Sequence, residues 1–110
     1  MRPRDRYRSF SELACTEREE RDYRRVWEAR GSPILVLAPH GGGIERGTSE
    51  IARAVAGEDC SWYCFEGLKT TGNQDLHITS TRFDEPQALA LLATAKMAVT
   101  IHGMQGSFSR

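Results

Sequence analysis

The sequence predicts an α/β domain, an open and mostly parallel sheet with helices on both faces. Three observations predict it. Two runs of strand length, the continuous apolar Ile34 to Ala38 and the largely apolar Met97 to Ile101, read as buried strands. Segments with helical spacing separate the strand-like runs, giving the order strand, helix, strand, helix, strand, which implies parallel pairing. Each of the two runs leads into a histidine and glycine, at Pro39-His40-Gly41 and His102-Gly103, and in such sheets ligands sit beyond the carboxyl ends of the strands.

The elements follow in chain order. Ser9 or Ser11 caps a short helix from Glu12 to about Glu19. Asp22 to Glu28 reads two ways: Thr16-x-x-Glu19 is a capping box for an Arg-rich helix, whereas Tyr23, Arg25 and Trp27 alternate with Arg24 and Val26 as in a strand. Gly31-Ser32-Pro33 breaks either one, and a strand there would form a hairpin with the run at Ile34. After the glycines, Thr48 caps a helix from Ser49 to Ala56 that Gly57 stops. Trp62 to Phe65 is the next strand, with its aromatic residues in the core. Gly67 to Asp75 is loop, and Leu76 to Thr79 a short edge strand. Pro86 opens a helix through about Lys96 with Leu89, Leu92 and Ala93 on its inner face, and Asp84 or Glu85 caps it.

The totals bound the rest. The chain has 110 residues, with Lys plus Arg at 15 and Asp plus Glu at 15, so its net charge is zero. Neither a nucleic-acid partner nor a membrane surface is expected from bulk charge. The Arg-rich first thirty residues are interleaved with acids and read as a solvated surface. The N-terminus lacks the apolar stretch of a signal peptide, and no apolar run approaches the ~20 residues of a membrane span. A cytoplasmic location is expected. Cys15, Cys60 and Cys64 form no disulfide framework. Cys60 and Cys64 face one side of their strand as small buried hydrophobes.

Chemistry concentrates at Pro39-His40-Gly41-Gly42-Gly43-Ile44-Glu45. A histidine leaving a buried strand is held in place by the sheet. The glycines let the backbone turn sharply, returning Glu45 beside His40. His102 leaves another strand of the same sheet. Two imidazoles and one carboxylate form the donor set of many catalytic zinc sites, in which a fourth position stays open. Rival readings of this loop are weaker. The His-Gly-Gly-Gly run matches an esterase oxyanion loop, but no G-x-S-x-G elbow accompanies it. Gly42 to Ser49 nearly spells a phosphate-binding loop, with Thr48 in the place of its lysine. The dinucleotide fingerprint fails at Arg46. A tight turn with a histidine satisfied by backbone hydrogen bonds is the bland alternative.

Leu37 to Glu50 resembles the first motif of the poly-γ-glutamate hydrolase family of phages and bacteria. Leu76 to Pro86 resembles its second motif, and Ile101-His102-Gly103 its third. The resemblance implies a zinc-dependent peptidase that cuts γ-linked polyglutamate, on an open sheet similar to that of zinc carboxypeptidases. The zinc ligands it implies are His40, Glu45 and His102, and it favours a strand at Asp22 to Glu28. A polyanionic substrate needs cations, for which Arg46 and Arg82 are the candidates. His77, in the second motif, is read as a packed or exposed residue with a supporting role as the alternative. Family members continue past the third motif, with a later glutamate as general base. Here the chain ends at Arg110, and no glutamate follows His102. The expectation is that residues 1–110 are the N-terminal part of an incomplete single domain. Its function stands between a zinc amide hydrolase and a non-catalytic metal-binding or structural remnant. The oligomeric state is left open.

Overall fold

The apolar run at Ile34 becomes the second strand in the chain and an inner strand of the sheet. The computed structural model describes residues 5–103. Its elements are α1 (Phe10–Thr16), β1 (Tyr23–Glu28), β2 (Ile34–Gly42), α2 (Thr48–Ala56), β3 (Ser61–Gly67), α3 (Pro86–Thr94) and β4 (Met97–Thr100), with single 3-10 turns at Asn73–Leu76 and Ser80–Arg82. The strands form one sheet in the order β1-β3-β2-β4. β2 runs parallel to both β3 and β4, and β1 is antiparallel to β3. The sheet is mostly parallel, as the sequence predicts.

Residues 23–28 are strand, yet the predicted hairpin with β2 does not form. Both sides of β2 are taken by parallel partners, so β1 pairs with β3 instead, Val26 opposite Cys64. The alternation of Tyr23, Arg25 and Trp27 reflects this edge position. Arg25 lies on the α3 side and reaches both Glu19 and the buried Glu85.

Helices cover both faces. On one, Leu13 of α1 and Ala88 and Leu91 of α3 close over Leu35, Leu37, Tyr63 and Phe65. On the other, Ala52 and Ala56 of α2 lie against Val36, Ala38 and Cys64. Cys60 packs beside this second cluster, so both cysteines do lie on one side. Ser9 caps α1 by accepting the Glu12 amide, and the helix stops at Thr16, short of Glu19. Glu85 caps α3, accepting the amides of Gln87 and Ala88.

Three other expectations need correction. Residues 76–79 form no strand, because the 3-10 turn at Asn73–Leu76 leads directly into an irregular stretch. The buried face of α3 is Ala88 and Leu91, while Leu89 and Leu92 are exposed. This helix is apolar all round, so periodicity alone could not choose its inner face. Finally, β4 is not buried. It is an outer strand, its other side unpaired among the described residues, and Met97 is 58% exposed. No helix among the described residues is long and apolar enough to cross a membrane.

Candidate metal centre

The carboxyl end of β2 is built for a sharp return. The pairing of β2 with β3 shifts register between Ala38 and Gly41, a bulge that re-aims the intervening side chains. His40 lies within it and is buried. Gly42 has φ 60°, and a Cβ there would stand 2.6 Å from the Gly67 carbonyl oxygen. Only glycine fits such a position. A side chain at Gly41 would collide with the Ser49 hydroxyl. The chain then folds back, the Glu45 amide donating to the His40 carbonyl at 2.9 Å. Thr48 braces the turn: its hydroxyl donates to the carbonyls of His40 (3.1 Å) and Glu45 (2.9 Å). Thr48 is therefore the first residue of α2 and not its cap. Gly47 holds the cap position and offers no side chain.

This turn brings His40 Nδ1 to 3.3 Å from Glu45 Oε1. The other ring nitrogen, Nε2, is 2.6 Å from the Ile78 carbonyl oxygen. A carbonyl only accepts, so Nε2 carries the proton. In the neutral ring Nδ1 is then a bare lone pair facing a carboxylate. Burial pushes the His40 pKa down, and the nearby His77 adds to this, against the raising effects of the Ile78 carbonyl and Glu45; the net direction is below the usual 6.5. Desolvation pushes the Glu45 carboxyl up, but the Gly103 amide and His40 outweigh it, leaving its pKa below 4.5. A neutral imidazole opposite an ionised carboxylate is a pair that a cation between them satisfies. The hydrogen bond behind His40 is the kind that fixes the tautomer of metal-binding histidines.

The remaining histidines gather here. His77 is buried and stacks on His40, ring centroids 4.0 Å apart at 23°. Its Nδ1 is 2.8 Å from Asp5 Oδ1. Donor atoms of His40, Glu45 and His77 all lie within 4.8 Å of one another. His102, two residues past β4, is exposed, with its ring centroid 5.7 Å from that of His40. It stands beside this tightest group and not in it. Its neighbour Gly103 donates its amide to Glu45 Oε1 at 3.0 Å. Of the residues singled out in the sequence, His40 and Glu45 are thus brought together and His102 lies next to them. Arg46 and Arg82 are exposed, one directly after Glu45 and the other at the end of the second 3-10 turn. Sequence reasoning missed Asp5 entirely and undervalued His77. The usable signal was that the chain has 3 histidines, and two had already been placed at one end of the sheet.

Comparison with known proteins identifies the family and the fold. The sequence profile of the poly-gamma-glutamate hydrolase family matches residues 7–109. The chain belongs to this family. The UPF0714 protein YndL of Bacillus subtilis (strain 168) is 52% identical over 99 residues, covering 90% of this chain and 38% of that protein. A solved structure of zinc-free YndL superposes with a TM-score of 0.86 at 50% identity, covering 92% of this chain and 49% of that one. A bacteriophage poly-gamma-glutamate hydrolase superposes with a TM-score of 0.90 at 35% identity, covering 96% of this chain and 52% of that one. The chain thus spans about half the length of these solved relatives, and less of the curated one. The α/β architecture, with its four-stranded mixed sheet, matches about half of the bacteriophage poly-gamma-glutamate hydrolase structure.

Proposed function

We propose that residues 1–110 form a single α/β domain, the N-terminal, zinc-binding part of a hydrolase that cuts amide bonds in γ-linked polyglutamate. His40, Glu45 and His102 are its metal ligands. The observation that carries this reading is the His40 lone pair facing the Glu45 carboxylate at 3.3 Å, with the proton of the ring committed to the Ile78 carbonyl. The donor set is what zinc takes in catalytic sites, and two imidazoles with one carboxylate leave a position open for chemistry. When bound, such a zinc supplies Lewis acidity, lowering the pKa of a water and polarising a substrate carbonyl.

The protein's own groups do the positioning. The Ile78 carbonyl orients His40, the Gly103 amide steadies Glu45, and the Thr48 hydroxyl holds the turn between them. Arg46 and Arg82 are exposed guanidiniums suited to the free carboxylates of a polyglutamate chain. Donors beyond the ends of parallel strands support a zinc-carboxypeptidase-like arrangement.

A second reading of the third ligand is favoured by the tight grouping of His77 with His40 and Glu45. Zinc affinity separates the two: loss in His102→Ala but not in His77→Ala supports His102, and the reverse pattern replaces it with His77. The function itself is tested by zinc stoichiometry on the purified chain and His40→Ala, with α- and γ-linked oligoglutamates assayed on the same samples. One zinc per chain, lost in the variant, with cleavage of the γ-linked peptide, is the expected outcome. Zinc without turnover leaves a metal-binding remnant, and a folded, zinc-supplemented chain that binds none removes the ligand assignment.

A further inference from the structure

Asp5 is distant in sequence from every motif, yet its carboxylate ends at the metal centre. Oδ1 lies 2.8 Å from His77 Nδ1. Oδ2 accepts the Thr79 amide at 2.6 Å and the Thr79 hydroxyl at 2.8 Å. The two oxygens therefore bridge residues 77 and 79 and straddle Ile78. The Thr79 N–H and the Ile78 C=O belong to one peptide unit. Asp5 holds its N–H, and its C=O receives the His40 Nε2 proton at 2.6 Å. The peptide is planar and rigid, so fixing one end fixes the other. Among the described residues no strand pairs with residues 76–79, so the ladder of this sheet does not hold the peptide.

We propose that Asp5 is a positioning residue of the metal centre, acting on His40 through the peptide between Ile78 and Thr79. The effect is mechanical and electrostatic. An anion at the N–H end polarises the peptide and makes its carbonyl a better acceptor. That holds the His40 proton on Nε2 and presents Nδ1 as the lone pair toward Glu45. The arrangement is a carboxylate–histidine unit of the kind that tunes metal ligands, with a peptide inserted between the two groups. The inference rests on the reading of His40 as a metal ligand.

The test uses the whole chain, with two readouts. Zinc affinity is measured by competition with a chromophoric chelator on wild type, His40→Ala, Asp5→Ala, Asp5→Asn and Thr79→Val. Imidazole nitrogen shifts of the metal-free proteins report the His40 tautomer. Asp5→Ala is expected to weaken zinc by about 10- to 100-fold, the range found for outer-shell partners. It should also shift His40 away from a pure Nε2–H tautomer. Asp5→Asn keeps an acceptor but no charge and should fall between; it carries the test if the alanine variant does not fold. Thr79→Val removes only the hydroxyl bond and should leave both readouts near wild type. Wild-type affinity and tautomer in folded Asp5→Ala and Asp5→Asn overturn the proposal, even if both melt earlier. A wild-type chain that binds no zinc but whose His40 tautomer depends on Asp5 refutes the metal assignment and keeps the positioning role. Zinc lost in His40→Ala but unchanged in the Asp5 variants does the opposite.

Discussion

The two faces of the sheet are packed by different means. Beneath α1 and α3 the space is filled with large side chains. Tyr63 and Phe65 are fully buried there, Tyr23 stacks on Phe65 at 5.2 Å, and Phe10 and Phe83 meet Phe65 edge-on. Beneath α2 the buried residues are small, Val36, Ala38, Cys64, Ala52 and Ala56, with the larger Trp62 and Ile101 only partly buried beside them. Large residues bury more apolar area and carry more of the stability. Small ones let a helix lie close to the strands. That closeness brings Thr48 and Ser49, at the start of α2, onto the backbone of β2, where they bond His40 and Gly42. One face therefore supplies most of the cohesion, and the other sets the geometry of the candidate metal centre.

The largest expected effect comes from the aromatic face. Phe65→Ala should cost about 3–5 kcal/mol, a large part of the stability of a domain this size. A urea titration would show it, and a loss below about 1 kcal/mol would mean that this face is not the main source of cohesion.

Next comes Ala52→Leu, which overpacks the close face. It should cost about 1–3 kcal/mol and push α2 outward, weakening binding at the proposed zinc site. Phe65→Leu is the matched variant, with lower stability and zinc affinity near wild type. Equal effects of the two on zinc would erase the distinction between the faces.

The candidate centre, at the carboxyl end of β2, titrates. With its folded pKa lowered, His40 takes up a proton less readily than in the unfolded chain. Stability of the metal-free chain is therefore full above about pH 6.5 and falls as pH drops below it. Asp5 and Glu45 are also lowered, from 3.8 and 4.5, so a second loss follows on further acidification. Urea midpoints across pH should show both stages in wild type and only the second in His40→Gln. Persistence of the first stage in that variant would assign it to another group.

The smallest effect belongs to the outside of α3. Leu89 is 46% exposed, so Leu89→Ser should change stability by no more than about 0.5 kcal/mol. A larger loss in a thermal melt would mean that this side is covered in solution.

Much of this was legible in the sequence because the signals are local. A continuous apolar run followed by His-Gly-Gly-Gly and Glu45 gives the strand, the turn and the pairing of His40 with Glu45 within a dozen residues. The illegible parts depend on distance or on choice among equals. Asp5 meets His77 across 72 positions, and nothing near Met1 marks it as different from other surface acids. The pairing of β1 with β3 depends on which edges of β2 are already occupied. The buried side of α3 depends on what lies beneath an apolar sequence with several equivalent faces. The exposure of β4 was hidden for the same reason, since an apolar run reads alike on an inner or an outer strand.

His102 hangs from that outer strand. Among the described residues β4 pairs with Ile34 to Leu37 of β2 alone, and His102 follows two residues after it. With His102 as a ligand, zinc would join the least protected strand to the best protected one. Metal binding would then act as a latch, and amide hydrogens of residues 97–101 should exchange markedly more slowly in the zinc-loaded chain, while those of β3 hardly change.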